Sequence, residues 1–327
     1  MTLSANRRSV FKLGLAGAAA LATPQIMIRA AHADAHSASL NMDSATHGFR
    51  LGDFEVATVN DGSLTFPDPH AIFGTNKSAE EVHGALDAHL LPKDRLVIGF
   101  APTIVKTPTD LVLFDAGNGA NRREAGAGRL LARLSNAGVT ADQVTVVAIT
   151  HMHPDHIGGL MEDGKPTFPN ARYVTGQVEF DFWTHEDRMS GATEGLAKLV
   201  AANVKPLAEK MSFIGDGGEV VSGISGMAAF GHTPGHMIYL LESGGQKLAI
   251  TADTANHFVL SLQHPDWEVR FDAVKDKAAE ARRNVFGMIA SERIPFIGYH
   301  MPFPSVGYVE PLGDGFRWVP ETYQMDL

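Results

Sequence analysis

Residues 144–149 read Val-Thr-Val-Val-Ala-Ile, a β-branched, largely apolar run without a charge. A strand with one wet face alternates apolar and polar side chains, so this run predicts a strand covered on both faces inside a layered fold. The chain leaves it through Thr150-His151-Met152-His153-Pro154-Asp155-His156-Ile157-Gly158-Gly159. Any fold it adopts must therefore carry three imidazoles and a carboxylate, all within six positions, at the rim of a buried sheet.

In an extended segment His151 and His153 project to one side, because side chains alternate. Pro154 turns the chain and lets Asp155 and His156 point back into the same space, giving two half-sites a few ångströms apart. The chain has no cysteine, so a metal here would be held by nitrogen and oxygen. That donor set suits Zn2+ first, with Mn2+, Fe2+ and Co2+ as alternatives. A lone histidine is ordinarily a solvated or hydrogen-bonded bystander, as most of the 15 here would be. Three of them with an aspartate at the end of a buried strand are not explained that way. Further donors are expected where other strands end: His232 in Phe230-Gly231-His232-Thr233-Pro234-Gly235-His236, Asp253 after Leu248-Ala249-Ile250, and His300 after Phe296-Ile297-Gly298-Tyr299.

Elsewhere strands and helices interleave. Leu51–Val59, Val97–Lys106, Leu111–Phe114, Arg172–Thr175, Gly226–Phe230, Met237–Leu241, Leu248–Ile250 and Pro295–Gly298 read as strands. Ser78–Leu90, Arg123–Asn136, Val178–Trp183, Glu194–Ala202 and Phe271–Ala290 have helical spacing. With no low-complexity linker and no short tandem repeat, the pattern predicts one α/β domain, residues 34–327, with helices on both outer faces.

Residues 1–33 read as a leader. Asn6-Arg7-Arg8-Ser9-Val10-Phe11-Lys12 precedes a small apolar run, and Ala31-His32-Ala33 supplies an A-x-A cleavage pattern. The paired arginines resemble a twin-arginine export signal, with a general secretory signal as the alternative. The expected location is periplasmic or secreted, in a bacterium. No run is long and apolar enough for a permanent span, so stable membrane insertion is not expected. Because Arg7, Arg8, Lys12 and Arg29 fall in the leader, the mature chain would carry 23 basic against 37 acidic residues, a formal net of −14. That balance excludes nucleic acid as the natural partner and favours a small, neutral or apolar molecule.

Asp115 in Leu113-Phe114-Asp115-Ala116-Gly117, the His151/His153/Asp155/His156 cluster, His232 in GHTPGH, Asp253 in ITADT and His300 resemble, in order, the five motifs of the metallo-β-lactamase superfamily. The likeness runs from about Leu51 to Val319. Within the superfamily, LGDFEV, THMHPDHIGGLM, FPNA, DFW, GHTPGH and GQKLA are most similar to methyl parathion hydrolase and related N-acyl homoserine lactone lactonases. The resemblance implies a four-layer αβ/βα sandwich with a dinuclear metal site on one edge. It implies that His151, His153 and His232 hold one divalent ion and Asp155, His156 and His300 the other, with Asp253 bridging them. It gives catalytic roles to Asp155 and Asp253, a structural role to Asp115, and a place for Trp183 beside the leaving group. His236, four residues past His232, is read as a supporting hydrogen-bonded residue, while Phe182 and His257 are candidates for the pocket wall. One departure stands out: some lactonases of the superfamily have a tyrosine shortly after the bridging aspartate, and Asp253-Thr254-Ala255-Asn256-His257 has none.

The implied activity is hydrolysis by a metal-bridging hydroxide of lactones or esters, quorum-signal lactones and aryl esters among them, extending to organophosphate triesters. The rival readings are a β-lactamase or a glyoxalase II-like thioester hydrolase. Relatives are often dimers, which makes a homodimer the assembly to test.

Overall fold

The computed structural model describes residues 45–324; the expected leader, residues 1–33, lies outside them. Two seven-stranded sheets dominate. The first runs Thr46–Leu51, Phe54–Val59, Thr103–Lys106, Leu111–Phe114, Val146–Ile149, Arg172–Gly176 and Met211–Ile214 in spatial order. The second runs Glu219–Val221, Ile224–Ala228, Met237–Ser243, Gln246–Ala252, Phe296–Gly298, Val306–Leu312 and Gly315–Pro320.

Three apolar layers hold these sheets and their helices together. Val146 and Ala148 face the second sheet, packing with Val112, Phe114, Tyr239, Leu248 and Ile250. Val147 and Ile149 face the other way, onto Leu130, Leu134 and Val200 of the helices Leu130–Asn136 and Glu194–Asn203. Every side chain of this strand is thus buried, as its unbroken apolar run predicts. Val285, Phe286 and Ile289 of the helix Lys275–Glu292 cover the outer face of the second sheet against Ile238, Ala249 and Phe296. The order helix, sheet, sheet, helix is the expected four-layer αβ/βα sandwich. Burying each such Val or Ile contributes roughly 1.5–3 kcal/mol. No helix among the described residues is long and apolar enough to cross a membrane.

Several predicted elements divide or shorten, each for a local reason. Leu51–Val59 is the end of one strand and all of the next, folded back at Gly52, whose φ is 55°. Val97–Lys106 splits because Pro102 has no N–H for a ladder. Its first half instead pairs as Arg95–Phe100 with Gly62–Pro67 in a separate hairpin. The helix predicted over Arg123–Asn136 begins only at Leu130. The helix predicted from Phe271 begins at Lys275, because the N–H groups of Ala273 and Val274 donate to the carbonyls of His232 and Gly231. The helix Ala79–Ala88 is closed as expected by a capping box between Ser78 and Glu81.

The histidine-rich turn is held backbone to backbone. Ala116 N–H donates to His156 O at 2.7 Å, and Gly159 N–H donates to Gly117 O at 3.1 Å. A Cβ on Gly159 would stand 2.1 Å from Ala116 O, and one on Gly158 2.3 Å from Asn118 O. Gly159→Ala is therefore expected to cost at least about 1–3 kcal/mol as overpacking of a rigid contact. By contrast Gly84, inside the helix Ala79–Ala88, has open space around its Cβ, and Gly84→Ala should gain about 0.5–1 kcal/mol. Urea unfolding of the two variants checks this; equal stability of the pair would contradict the packing described.

Candidate metal centre

The sheets bring the candidate ligands to one edge. His151, Asp253 and His300 follow Val146–Ile149, Gln246–Ala252 and Phe296–Gly298, and His232 precedes Met237–Ser243, which runs antiparallel to its neighbour. Two groups result: His151, His153, His232 and Asp253, and beside them Asp155, His156 and His300. Within each, one donor atom per residue lies within 4.8 Å of the others.

In the first group His153 Nδ1 stands 3.1 Å from His151 Nε2 and 2.9 Å from His232 Nε2, and His232 Nε2 is 3.2 Å from Asp253 Oδ2. In the second, Asp155 Oδ2 is 3.5 Å from both His156 Nε2 and His300 Nε2. A tetrahedral shell with bonds of about 2.0–2.1 Å has edges of roughly 3.3–3.4 Å, so these spacings suit a small divalent cation.

The far side of each ring decides which nitrogen faces inward. His156 Nδ1 donates to Asp115 Oδ2 at 2.7 Å, His232 Nδ1 to Asp272 Oδ1 at 2.9 Å, and His300 Nδ1 to Gly99 O at 2.8 Å. Thr150 Oγ1 donates to Asp115 and so accepts from His151 Nδ1 at 3.0 Å. With their protons committed outward, the Nε2 lone pairs of these four rings converge. His156 Nε2 and Asp253 Oδ1 are buried without any hydrogen-bond partner. An orphaned imidazole lone pair facing an orphaned carboxylate oxygen 3.1 Å away is what a cation would satisfy. The donor set, all nitrogen and oxygen, fits Zn2+ and its neighbours.

Charge follows the same logic. Burial opposes ionisation of Asp155, yet His156 and His300 hold it down at about 2. Burial likewise works against a charged His232, but Asp253 and Asp272 raise it to about 9. His156 and His300 are raised for the same reason, chiefly by Asp253. His153, buried and next to His232, is pushed down to about 3, and His151 well below the usual range. Without a cation, protons on His156 and His232 offset the carboxylates.

The supporting residues sort clearly. Asp115, in a left-handed conformation with φ 62°, accepts from Thr150 N–H, Thr150 Oγ1 and His156 Nδ1. His236 is no ligand in this arrangement: its Nε2 accepts the backbone N–H of Asp253 at 3.2 Å, and its Nδ1 donates to Ala229 O. Trp183 and Phe182 do not line the metal cavity. The Trp183 indole is buried in the core and donates to Glu179 at 2.8 Å, while Phe182 packs edge-on to Trp183 and under Arg188. His257 is almost fully buried, with burial holding it at about 3, and borders a neighbouring chamber instead.

Sequence reasoning missed two carboxylates. Glu179, fully buried, accepts from Met152 N–H, Trp183 Nε1, Thr233 Oγ1 and Gly235 N–H, and so ties the 151–156 turn to the 232–236 loop. An acid on the apolar face of the helix Gln177–Thr184 was the available signal. Asp272 was read as the start of a helix; it orients His232 and pairs with buried Arg282 at 2.9 Å. The cavity over the metal ligands, about 420 Å3, has an apolar wall of Leu64, Phe66, Ile98, Phe100, Leu196 and Phe271, with Arg122 and Arg270 also lining it. Four of these belong to the hairpin that the sequence pattern did not resolve.

Residues 102–291 match the family described as the metallo-beta-lactamase superfamily. No curated protein matches the chain. Among solved structures, the chain is similar to AidC, a dizinc quorum-quenching lactonase in complex with the product N-hexanoyl-L-homoserine, with 27% identity, TM-score 0.77, and coverage of 86% of this chain and 100% of that one. It is similar to the hydrolase AbOPH at 22% identity and TM-score 0.77, covering 87% and 100%. It also resembles a probable metal-dependent hydrolase from Staphylococcus aureus at 21% identity and TM-score 0.69, covering 85% and 100%.

Metal uptake must expel the protons that His156 and His232 carry, so affinity should rise with pH through about 9, where His232 is half neutral. Calorimetric titration with Zn2+ in two buffers of different ionisation enthalpy should show net proton release at neutral pH that shrinks as pH approaches that value. Binding without proton release would contradict the charge state described. Asp272→Ala should weaken Zn2+ binding about 10–100-fold by freeing the His232 ring. It should also cost about 3–5 kcal/mol in a urea titration, because Arg282 is left charged and buried.

Proposed function

Because the chain belongs to the metallo-beta-lactamase superfamily and is a metal-dependent hydrolase, we propose that it cleaves lactone and carboxylic ester bonds at a dinuclear centre. His151, His153 and His232 would hold one divalent cation, Asp155, His156 and His300 the second, and Asp253 both. The observation that carries this reading is the reach of Asp253. Its Oδ2 lies 3.2 Å from His232 of one group and 3.1 Å from His300 of the other, and its Oδ1 faces His156 at 3.1 Å. A cation pair, when bound, supplies Lewis acidity at a carbonyl or phosphoryl oxygen and brings water to a near-neutral pKa.

The protein's own groups do the rest. Leu64, Phe66, Ile98, Phe100, Leu196 and Phe271 seat an acyl chain and keep bulk water from the reacting bond. Asp155 has the more exposed carboxylate, 22% against 4% for Asp253, so it is placed to take up a proton and pass it to the departing alkoxide. Asn256 Nδ2 donates to Asp253 Oδ2 at 2.8 Å and Tyr299 Oη to Asp155 O at 2.6 Å, holding both acids in place. The name of AidC, a lactonase seen with its ring-opened product, supports lactones as the first class to test. Phosphotriesters are a further candidate substrate, since they offer the same centre a polarised oxygen. The Arg7-Arg8 leader supports action outside the cytoplasm.

Metal-loaded protein should hydrolyse a γ-lactone and p-nitrophenyl acetate, with slower turnover of a p-nitrophenyl dialkyl phosphate and little of a β-lactam. Turnover of the β-lactam alone would replace this reading with the lactamase one. Asp253→Ala should lose bound metal and reduce hydrolysis by about a thousandfold or more, measured on the same samples. An Asp253→Ala variant that keeps its metal and its rate would remove the dinuclear reading.

A further inference from the structure

Ile98, Phe100, Asn256 and His300 border the metal cavity on one side and a second chamber, of about 650 Å3, on the other. The ionisable side chains described around this second chamber are all basic. Arg129 and Arg133, one helical turn apart, both line it, and among the described residues neither guanidinium has an ion-pair or hydrogen-bond partner. His257 closes another wall. Its Nδ1 accepts the backbone N–H groups of Val259 at 3.0 Å and Leu260 at 3.1 Å, so the ring hydrogen sits on Nε2, which has no hydrogen-bond partner among the described residues. The residue is only 8% exposed. Asn60 and Ser63 add an amide and a hydroxyl, and among the described residues no Asp or Glu lines the chamber.

A chamber rich in donors and free of acids is unexpected in a chain whose formal net charge is −10. An apolar acyl group lodged there would strip water from the half-buried Arg133 guanidinium and an imidazole N–H while offering no acceptor in return. A carboxylate offers two acceptor oxygens, and the planar guanidinium fork matches them. We propose that this chamber is a binding subsite for an anionic group, a carboxylate carried by the substrate at the end remote from the scissile ester or lactone bond. The assignment rests on the metal cavity being the hydrolytic site, and it narrows the substrate class to amphiphilic molecules with an apolar middle and a charged end.

The test compares two esters that differ only at the far end: p-nitrophenyl glutarate, which ends in a carboxylate, and p-nitrophenyl valerate, which ends in a methyl group. With the metal-loaded enzyme at low salt, kcat/KM for the anionic ester should exceed that for the neutral one by about tenfold or more. The ratio should shrink as salt rises and approach one in the double variant Arg129→Gln/Arg133→Gln. Should that double variant fail to fold, Arg129→Gln alone, at an exposed position, should still lower the ratio. A wild-type ratio of one or less, or a ratio that the variants leave unchanged, would overturn the proposal. If neither ester is turned over, the hydrolytic reading fails separately, and calorimetric titration of the metal-loaded protein with glutarate decides the subsite. Affinity that drops with Arg129→Gln supports it; affinity indifferent to both arginines, as expected for carboxylate on the metals alone, refutes it.

Discussion

Lone pairs that face one another repel, and the edge of this sandwich gathers five imidazole nitrogens and two carboxylates into a buried space. Only positive charge can hold them there. In the metal-free chain protons on His156 and His232 provide it; divalent cations provide more of it, at one point, with directed bonds. The rest of the site exists to make that exchange favourable, by committing the Nδ1 protons of His151, His156, His232 and His300 to acceptors on the outside.

Those outside acceptors connect the site to the fold. Asp115 gathers Thr150 and His156, so that the end of one parallel strand orients the turn after its neighbour. Glu179 joins the 151–156 turn to the 232–236 loop across the two sheets, and Asp272 links His232 to Arg282 and the outer helix. Each of the three carboxyl groups is buried, which is tolerable only because its oxygens are hydrogen-bonded. Site geometry and stability therefore share the same side chains.

Net charge turned out to be a poor guide to local chemistry. An acidic chain suggested a neutral ligand, and the hairpin-walled cavity over the metal ligands agrees with an apolar group. Among the described residues, the adjoining chamber is lined by two arginines without partners and by no acid. Overall charge governs long-range attraction and solubility, whereas recognition is set by the few groups that a bound molecule would touch.

Local pattern alone determined the layered α/β architecture, the buried Val146–Ile149 strand and the seven candidate ligands. Apolar runs dictate burial, and a strand end is where polar residues can collect. Sequence position sets His236 apart from the ligands, whereas Asp115 is set apart only through the family resemblance. The pattern could not find Glu179 and Asp272: apart from the nearby Trp183, the partners of Glu179 are 27 to 56 positions away, and those of Asp272 are 10 and 40 away. Nor could it show that Trp183 turns inward to Glu179, or that Leu64, Phe66, Ile98 and Phe100 wall the cavity. A side chain's hydrogen-bond partner and the face it presents depend on which segments pack together, and for these residues that was decided only when the two sheets closed on one another.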